Sequence, residues 1–257
     1  MSDSPVRPRF RAEFPRGRWL LFVLPLVVGL AADLWTKSAM FRFLEFPDGM
    51  IEQRTHWWID GVAGVQLSLN PGALWGLGSG WAPIFAMMSL VAAVGIIWWL
   101  FVAGAAKSRF LTLLLGFVMA GIFGNLYDRL GLHGIVMWEF IGGGQCFAMS
   151  GMELPAGLEL IRETPLHVVR DWILVMIGSY HWPNFNLADC WLVSGAILLF
   201  GASVFAPKAL GFPEPEPPPS SESVAELISE PHSKPMSDLQ SDMTSTEFAD
   251  ETKIGES

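Results

Sequence analysis

Two aspartates, Asp171 and Asp189, stand at the ends of the stretch DWILVMIGSYHWPNFNLAD, just before a long apolar run. Ionised groups beside a membrane segment are costly and usually functional. If the fold brings these carboxylates together, they cannot both ionise and would share one proton. That shared proton is the working state of an aspartic protease, so the pair is the strongest chemical signal in the chain.

Two further polar clusters lie in the first half of the chain. Asp33 and Lys37 are four residues apart and would share a helical face. They could form a structural ion pair or help to position a substrate, and both readings stay open. In LNPGALWG, Asn70 offers two donors and an acceptor, and Gly72 permits close backbone approach. This stretch is either an ordinary loop or a binding turn.

The second half of the chain carries two more clusters. In GNLYDRL, Asn125 and Asp128 are three residues apart, with Arg129 adjacent. This spacing predicts a salt bridge between Asp128 and Arg129, which suits a scaffold and poorly suits a group that must hold a proton. In FNLAD, Asn186 is three residues before Asp189. That pattern is typical of a helix N-cap with an acidic first turn.

The composition indicates that these clusters belong to a membrane protein. Hydrophobic residues make up 51% of the 257 positions, charged residues only 16%, and the mean hydropathy is +0.40. About 20 apolar residues in a helix cross a bilayer. Four runs meet that length, at about residues 19–40, 81–105, 110–127 and 185–206. The first run is too long and too polar, with Asp33 and Lys37, to be a cleavable signal peptide.

Basic residues predict the orientation of the four helices. An N-terminal arm, residues 1–18, carries five arginines, the link between the second and third runs carries Lys107 and Arg109, and Lys208 follows the fourth. By the positive-inside rule both termini are cytoplasmic, and the polar clusters face the other side. The segment 208–257 is acidic and rich in Pro and Ser, which predicts a disordered cytoplasmic tail. No CxxC or HExxH motif occurs, so no metal site is predicted.

Five motifs carry a resemblance to a known family. ADLWTK, NPGALWG, GNLYDR, VVRDWI and FNLAD occur in that order over about residues 19–206. The chain resembles lipoprotein signal peptidase (signal peptidase II, peptidase family A8), an aspartic protease of the bacterial inner membrane. The family removes signal peptides by cleaving prolipoproteins just before a diacylglyceryl-modified cysteine. It works without a cofactor or metal.

The resemblance implies a site and a fold. Asp171 and Asp189 would be the catalytic dyad. The positions that match the family's supporting residues are Asn70, Gly72, Asn125, Asp128, Arg129, Asn186 and Ala188. Asp33 and Lys37 are further candidates for substrate binding or support of the site, from their own spacing. We expect an all-α polytopic membrane protein of four transmembrane helices, with a small extracytoplasmic β-cradle and an interfacial helix within residues 41–80. The expected partners are diacylglyceryl-modified prolipoproteins and membrane lipid, with no nucleic acid, and a monomer suffices for the mechanism.

The chain departs from the family pattern after Arg129. The catalytic aspartate of the V-x-D-F type motif should follow a short turn, but here LGLHGIVMWEFIGGGQ and more residues intervene. Glu139 and Asp171 therefore compete for the role. Asp171 is favoured because it keeps the aspartate side chain and lies close before FNLAD. Residues of about 131–165 then form an insertion between helices 3 and 4, either a flap-like loop over the site or a passive surface insertion.

Two other classes of protein stay open at this point. A proton-coupled transporter would also carry carboxylates in its helices, although usually near the bilayer midplane and in repeated helices. A membrane anchor could recruit partners through the acidic tail, but it would leave the polar clusters without a purpose. Cleavage of a lipidated prolipoprotein, blocked by the family's inhibitor globomycin, would exclude both.

Overall fold

The computed structural model describes residues 17–44, 55–72, 80–154 and 156–210. The basic arm up to residue 16 and the tail from residue 211 lie outside the described residues, so their predicted roles stay predictions. The interfacial helix expected within residues 41–80 is not seen in the described part of that range. The other residues of that range, 45–54 and 73–79, lie outside the described residues.

Four long helices form the body of the protein. They are α1 (Arg18–Phe43), α2 (Ala82–Ile97, continued by a π-helical turn at Trp98–Val102), α3 (Arg109–Arg129) and α4 (Leu187–Phe205). Each is long and apolar enough to cross a membrane. The four apolar runs of the sequence are thereby confirmed as helices. Short 3₁₀ turns at Ala105–Lys107 and Pro207–Leu210 border α3 and α4 at the opposite end from the strands.

Helix α3 is the central helix, with 67% of its apolar window buried, against 11–22% for the other three. Small residues let its neighbours approach closely. A Cβ atom on Gly121 would meet the carbonyl oxygen of Ala188, and one on Gly124 would meet the carboxylate of Asp33. These glycines bring α4 and α1 close enough to α3 for their polar side chains to meet.

Seven strands make two antiparallel sheets. They are β1 (Thr55–Ile59), β2 (Ala63–Asn70), β3 (Ile135–Phe140), β4 (Gln145–Met149), β5 (Leu160–Pro165), β6 (Val169–Ile177) and β7 (Tyr180–Phe185). Every strand lies between α1 and α2 or between α3 and α4 in the chain. The four helices alternate in direction, so both sheets are at the same end of the helices. We call this the sheet end.

The first sheet, in the order β1-β2-β6-β7, is the cradle sheet. Its central pair is antiparallel, with Ser68 opposite Asp171 and Asn70 opposite Val169. Phe41, Val65, Ile135 and Trp172 form a buried core that fixes the sheet to the end of α1. The cradle expected from residues 41–80 therefore draws half its strands from residues 169–185.

The second sheet, in the order β4-β3-β5, is formed by the insertion, so we call it the inserted sheet. It has its own small core of Val136, Trp138, Phe140 and Ala148. Before it, α3 ends in a Schellman motif. The backbone N–H of Gly131 (φ 73°) donates to the backbone carbonyl of Asp128, and that of Leu132 donates to the carbonyl of Tyr127. The insertion is thus a folded β element and not a loop.

The all-α class predicted from the sequence is wrong. The apolar runs identified the helices, but the strand segments are short and rich in β-branched and aromatic residues, such as IVMWEF and VRDWILVMI. Part of their pairing is with strands that are distant in sequence, β6 with β2 and β3 with β5. Periodicity within each segment could not reveal that pairing.

Candidate active site

Asp171 lies near the start of β6 and is almost completely buried, with 2% of its surface exposed. Its Oδ1 accepts a hydrogen bond from Nδ2 of Asn186 at 2.6 Å, and its Oδ2 accepts one from Nδ2 of Asn70 at 3.1 Å. The backbone N–H of Gly72 donates to Oδ1 of Asn70 at 3.0 Å and so orients that amide. Asn70 and Gly72 therefore form a turn directed at Asp171.

Asp189 belongs to the first turn of α4 and is half-buried. A capping box joins it to Asn186: the Asp189 N–H donates to Oδ1 of Asn186 at 3.1 Å, and the Asn186 N–H donates to Oδ2 of Asp189 at 3.2 Å. The N-cap expected from FNLAD is confirmed. Because Asn186 also donates to Asp171, one residue contacts both carboxylates.

Asn125 of α3 connects this pair to the helices. Its Nδ2 donates to Oδ1 of Asp189 at 2.8 Å, and its Oδ1 accepts from Asn186 at 3.2 Å and from Nζ of Lys37 at 3.2 Å. Both carboxylates, both asparagines and Lys37 thus belong to one hydrogen-bonded network. Five polar side chains from α1, α3, α4 and β6 converge at the sheet end.

Asp33 and Lys37 form a completely buried ion pair, with 2.9 Å between Oδ2 and Nζ. Oδ1 of Asp33 also accepts the backbone N–H of Ala188 at 2.9 Å. This contact fixes the first turn of α4 against α1. The predicted ion pair is therefore present, and since Lys37 also donates to Asn125, its role in positioning a substrate stays a prediction.

The salt bridge predicted between Asp128 and Arg129 is wrong. Among the described residues, the carboxylate of Asp128 is held by Nζ of Lys37 at 3.1 Å and by Nη2 of Arg170 at 2.9 Å. The guanidinium of Arg129 makes no ion pair with that carboxylate among the described residues and lies over the ring of Phe85, 5.5 Å from its centroid, within electrostatic reach of Asp189, Asp171 and Asp128. Adjacent residues on a helix point in different directions, so neighbours in sequence seldom pair.

Sequence reasoning missed Arg170. It occurs in VVRDWI, the motif that identified Asp171, but its partner is 42 residues away. A basic residue inside an apolar strand indicates a buried acidic partner, because a buried cation needs a counter-ion.

Glu139, the competing candidate, lies elsewhere. It belongs to β3 of the inserted sheet, where Nε2 of Gln145 donates to its Oε1 at 3.1 Å and Nε of Arg162 is 4.0 Å from its Oε2. Its neighbours are therefore side chains of β4 and β5. The structure brings Asp171, and not Glu139, to the residues that contact Asp189.

The surroundings of Asp171 change its acidity. Burial, and next the negative charge of Asp189, raise the pKa of Asp171 to about 7, while the hydrogen bonds from Asn70 and Asn186 act in the opposite direction. Asp171 can therefore hold a proton near neutral pH. Among the described residues, no group of three His, Cys, Asp or Glu is arranged to hold a metal ion.

Comparisons with known proteins show which family the chain is similar to. The family model for signal peptidase (SPase) II, peptidase A8, matches residues 25–205. The chain is 41% identical over 189 residues to the lipoprotein signal peptidase of Rhodopirellula baltica, covering 73% of each chain. It is 28% identical over 200 residues to that of Deinococcus radiodurans, covering 78% of this chain and 86% of the relative.

A solved structure shows the same fold. A bacterial membrane enzyme determined by the in meso method at 2.3 Å resolution aligns with a TM-score of 0.50 and 21% identity, covering 74% of this chain and 89% of that one. Since the family model spans residues 25–205, from within α1 to the end of α4, the chain belongs to the signal peptidase II family.

Proposed function

We propose that the chain is a membrane aspartic endopeptidase that removes signal peptides from prolipoproteins, cleaving on the N-terminal side of the diacylglyceryl-modified cysteine. The observation that carries the proposal is the convergence of Asp171 and Asp189 on Asn186. The names of the relatives supply the substrate class. The aspartic mechanism rests on the two carboxylates.

Asp171 is the carboxyl group that carries the shared proton, because burial and the charge of Asp189 raise its pKa to about 7. Asp189 is half-buried and is the general base. It takes a proton from a water molecule placed between the two side chains, and this water attacks the scissile carbonyl carbon. Protonated Asp171 donates a hydrogen bond to the oxygen, on which negative charge develops.

Breakdown of the tetrahedral intermediate completes the reaction. The proton taken up by Asp189 passes to the leaving amine, the C–N bond breaks, and the dyad returns to its starting state with one proton. Asn125 and Asn186 keep the carboxylates in place through this cycle, because their amides donate to Asp189 and Asp171. Arg129 lies within electrostatic reach of both and balances their charge.

The membrane sets where the reaction takes place. We propose that both termini face the cytoplasm of a bacterial inner membrane, which puts the sheet end and the dyad at the outer surface. The acyl chains of the substrate then lie against apolar helix surfaces, and each buried CH₂ contributes about 0.8 kcal/mol. A lipid anchor of this kind keeps the cysteine level with the dyad, and a monomer is sufficient.

The test is a gel-shift assay of the purified full-length protein with a lipidated prolipoprotein, with and without globomycin. We expect release of the signal peptide by the protein alone and its block by the inhibitor. N-terminal sequencing of the product should begin at the modified cysteine. Well-folded protein that leaves the lipidated substrate intact would contradict the proposal, and cleavage at another bond would contradict the assigned position.

A further inference from the structure

Arg170 directly precedes Asp171 in β6 and is 5% exposed. Its Nε and Nη2 donate to Oδ1 of Asp128 at 3.0 and 2.9 Å, and its backbone N–H donates to Oδ2 at 3.0 Å. Its Nη1 also donates to Oγ of Ser38 at 3.3 Å. Main chain and side chain of one residue are thus held by a single carboxylate at the end of α3.

The contact of Arg170 with Asp128 affects which way the side chain of Asp171 points. Successive side chains in a strand point to opposite faces of the sheet. When Arg170 is held against α3 and α1, the next side chain must point away from Asp128 and toward Asn186 and Asn70, which is where Asp171 makes its hydrogen bonds. The pairing of Arg170 with Asp128 therefore acts together with the ladder between β2 and β6, in which Ser68 is opposite Asp171, on the orientation of β6 at this residue.

The partner of Arg170 is itself fixed in place. Asp128 is completely buried and accepts from Nζ of Lys37 on α1 at 3.1 Å. The carboxyl groups of Asp33 and Asp128 thus lie beside two cationic side chains, Lys37 and Arg170. Removal of one partner from such a network is costly, because a buried charge is left without compensation.

The inserted sheet explains why such an anchor is needed. Between Asp128 and Arg170 the chain leaves α3 and builds three strands before it returns. Three more hydrogen bonds close the base of this excursion: His167 Nδ1 to the Arg129 carbonyl at 3.1 Å, His133 Nε2 to the Val168 carbonyl at 3.1 Å, and the Leu166 N–H to the Ile135 carbonyl at 3.0 Å. Among these contacts, the one between Arg170 and Asp128 is adjacent to Asp171.

We propose that Arg170 is a positioning residue, which holds β6 on Asp128 so that the carboxyl group of Asp171 stays beside Asp189 after the inserted sheet. The inference rests on the proposed function. Arg170 acts through Asp128 and through its own backbone. Its side chain is on the other face of the strand from the dyad, so it does not contact the scissile bond.

The guanidinium group is the part of Arg170 that matters. The guanidinium group presents Nε and Nη2 side by side, and both donate to Oδ1 of Asp128, whereas the ammonium group of lysine is a point charge without that planar pair of donors. Arg170→Lys keeps the charge and loses the fork, so it separates position from electrostatics. Arg170→Met removes both. Arg162→Met is the matched control, since the side chain of Arg162 is exposed in the inserted sheet and its ion pair with Glu139 is long, at 4.0 Å.

The experiment measures kcat, KM and the pH profile of cleavage for these variants of the full-length protein, with thermal unfolding as a check on folding. We expect kcat to fall about a hundredfold in Arg170→Lys and further in Arg170→Met, because a 1 Å misplacement costs about that much. KM should stay near the wild-type value. The alkaline limb of the profile should move to lower pH in Arg170→Lys, because a displaced Asp171 is better hydrated. Arg162→Met should match the wild type.

Each other outcome has one reading. Wild-type kcat in folded Arg170→Lys overturns the inference, as does a loss confined to KM. A fall in kcat with an unmoved pH profile assigns Arg170 a general structural role and overturns it too. If Arg170→Met does not fold, Arg170→Lys alone decides. Failure of the wild-type protein to cleave any lipidated substrate would instead overturn the proposed function.

Discussion

At the scale of single residues, Asn186 is the side chain on which the site depends. Its amide group donates to Asp171 and Asn125, its oxygen accepts from Asp189, and its backbone N–H donates to Asp189. Asn186 therefore both caps α4 and links the two carboxylates. The cap could be predicted from FNLAD, because capping depends on residues only three apart.

Asn70 offers a test of how the acidity of Asp171 is set. Its hydrogen bond to Oδ2 favours the ionised form of Asp171. In Asn70→Ala the pKa of Asp171 should rise further, and the alkaline limb of the kcat profile should move to higher pH by about one to two units, since a hydrogen bond to a charged group contributes about 1.5–3 kcal/mol. The measurement is the pH dependence of cleavage under saturating substrate.

The direction in which the alkaline limb moves shows which aspartate carries the proton. In the proposed mechanism activity is lost as pH rises through the pKa of Asp171, which is about 7. Gln145→Ala, which removes an exposed amide from the inserted sheet, should leave the profile where it is in the wild type. A limb that moves to lower pH in Asn70→Ala would contradict the assignment of Asp171 as the protonated partner.

At this scale the sequence located the aspartates and asparagines but assigned one contact wrongly. Asp128 pairs with Arg170 and Lys37, which are distant in sequence, and not with the adjacent Arg129. Local spacing predicts contacts within a helix, as it did for Asp33 and Lys37. It carries no information on which strand residue will reach the end of a helix.

At the scale of elements, the four helices could be predicted and the two sheets could not be fully predicted. About 20 apolar residues in a row can be recognised locally. The cradle sheet instead pairs β2 with β6, whose residues Ser68 and Asp171 are about a hundred positions apart. The inserted sheet was expected only as an insertion, because the pairing of β3 with β4 and β5 is not visible from the spacing of residues within each strand.

Excision of the inserted sheet tests whether it is a flap over the site or a passive addition. Met137 and Thr164 are paired neighbours on β3 and β5, so residues 138–163 can be replaced by Asn-Gly, a pair that favours a two-residue hairpin turn. The contacts at the base of the insertion and the pairing of Arg170 with Asp128 are kept. We expect cleavage within about tenfold of the wild type, which is 1.4 kcal/mol in activation free energy.

The same excision in an Arg170→Lys background is the matched comparison. The shortened connection leaves less chain to hold in place. The fall in kcat caused by Arg170→Lys should therefore be smaller than in the full-length protein. Loss of cleavage on excision alone, in a variant with an unchanged unfolding temperature, would show that the inserted sheet acts on the site and is not passive.

At the scale of the whole molecule, the membrane contributes to specificity. The outer surfaces of α2 and α4 are almost entirely apolar and exposed, with Val91, Val94, Ile197 and Phe200 each more than 60% exposed. Such surfaces suit acyl chains as well as bilayer lipid. The proposed enzyme therefore recognises its substrate partly through burial of the lipid.

Lipidated and unmodified prolipoprotein should differ strongly as substrates. Loss of only about four buried CH₂ groups removes about 3 kcal/mol, which is about a hundredfold in kcat/KM. The measurement compares kcat/KM for one prolipoprotein with and without the diacylglyceryl group, in the same lipid vesicles. Equal turnover of the two forms would show that the lipid plays no part in recognition.

The most direct test of the dyad compares three conservative variants in the cleavage assay: Asp171→Asn, Asp189→Asn and Glu139→Gln. Each removes one ionisable carboxyl group with almost no change in shape. We expect the first two to lose cleavage by several orders of magnitude while they remain folded, and Glu139→Gln to cleave like the wild type. Retained activity in Asp171→Asn together with its loss in Glu139→Gln would contradict that expectation.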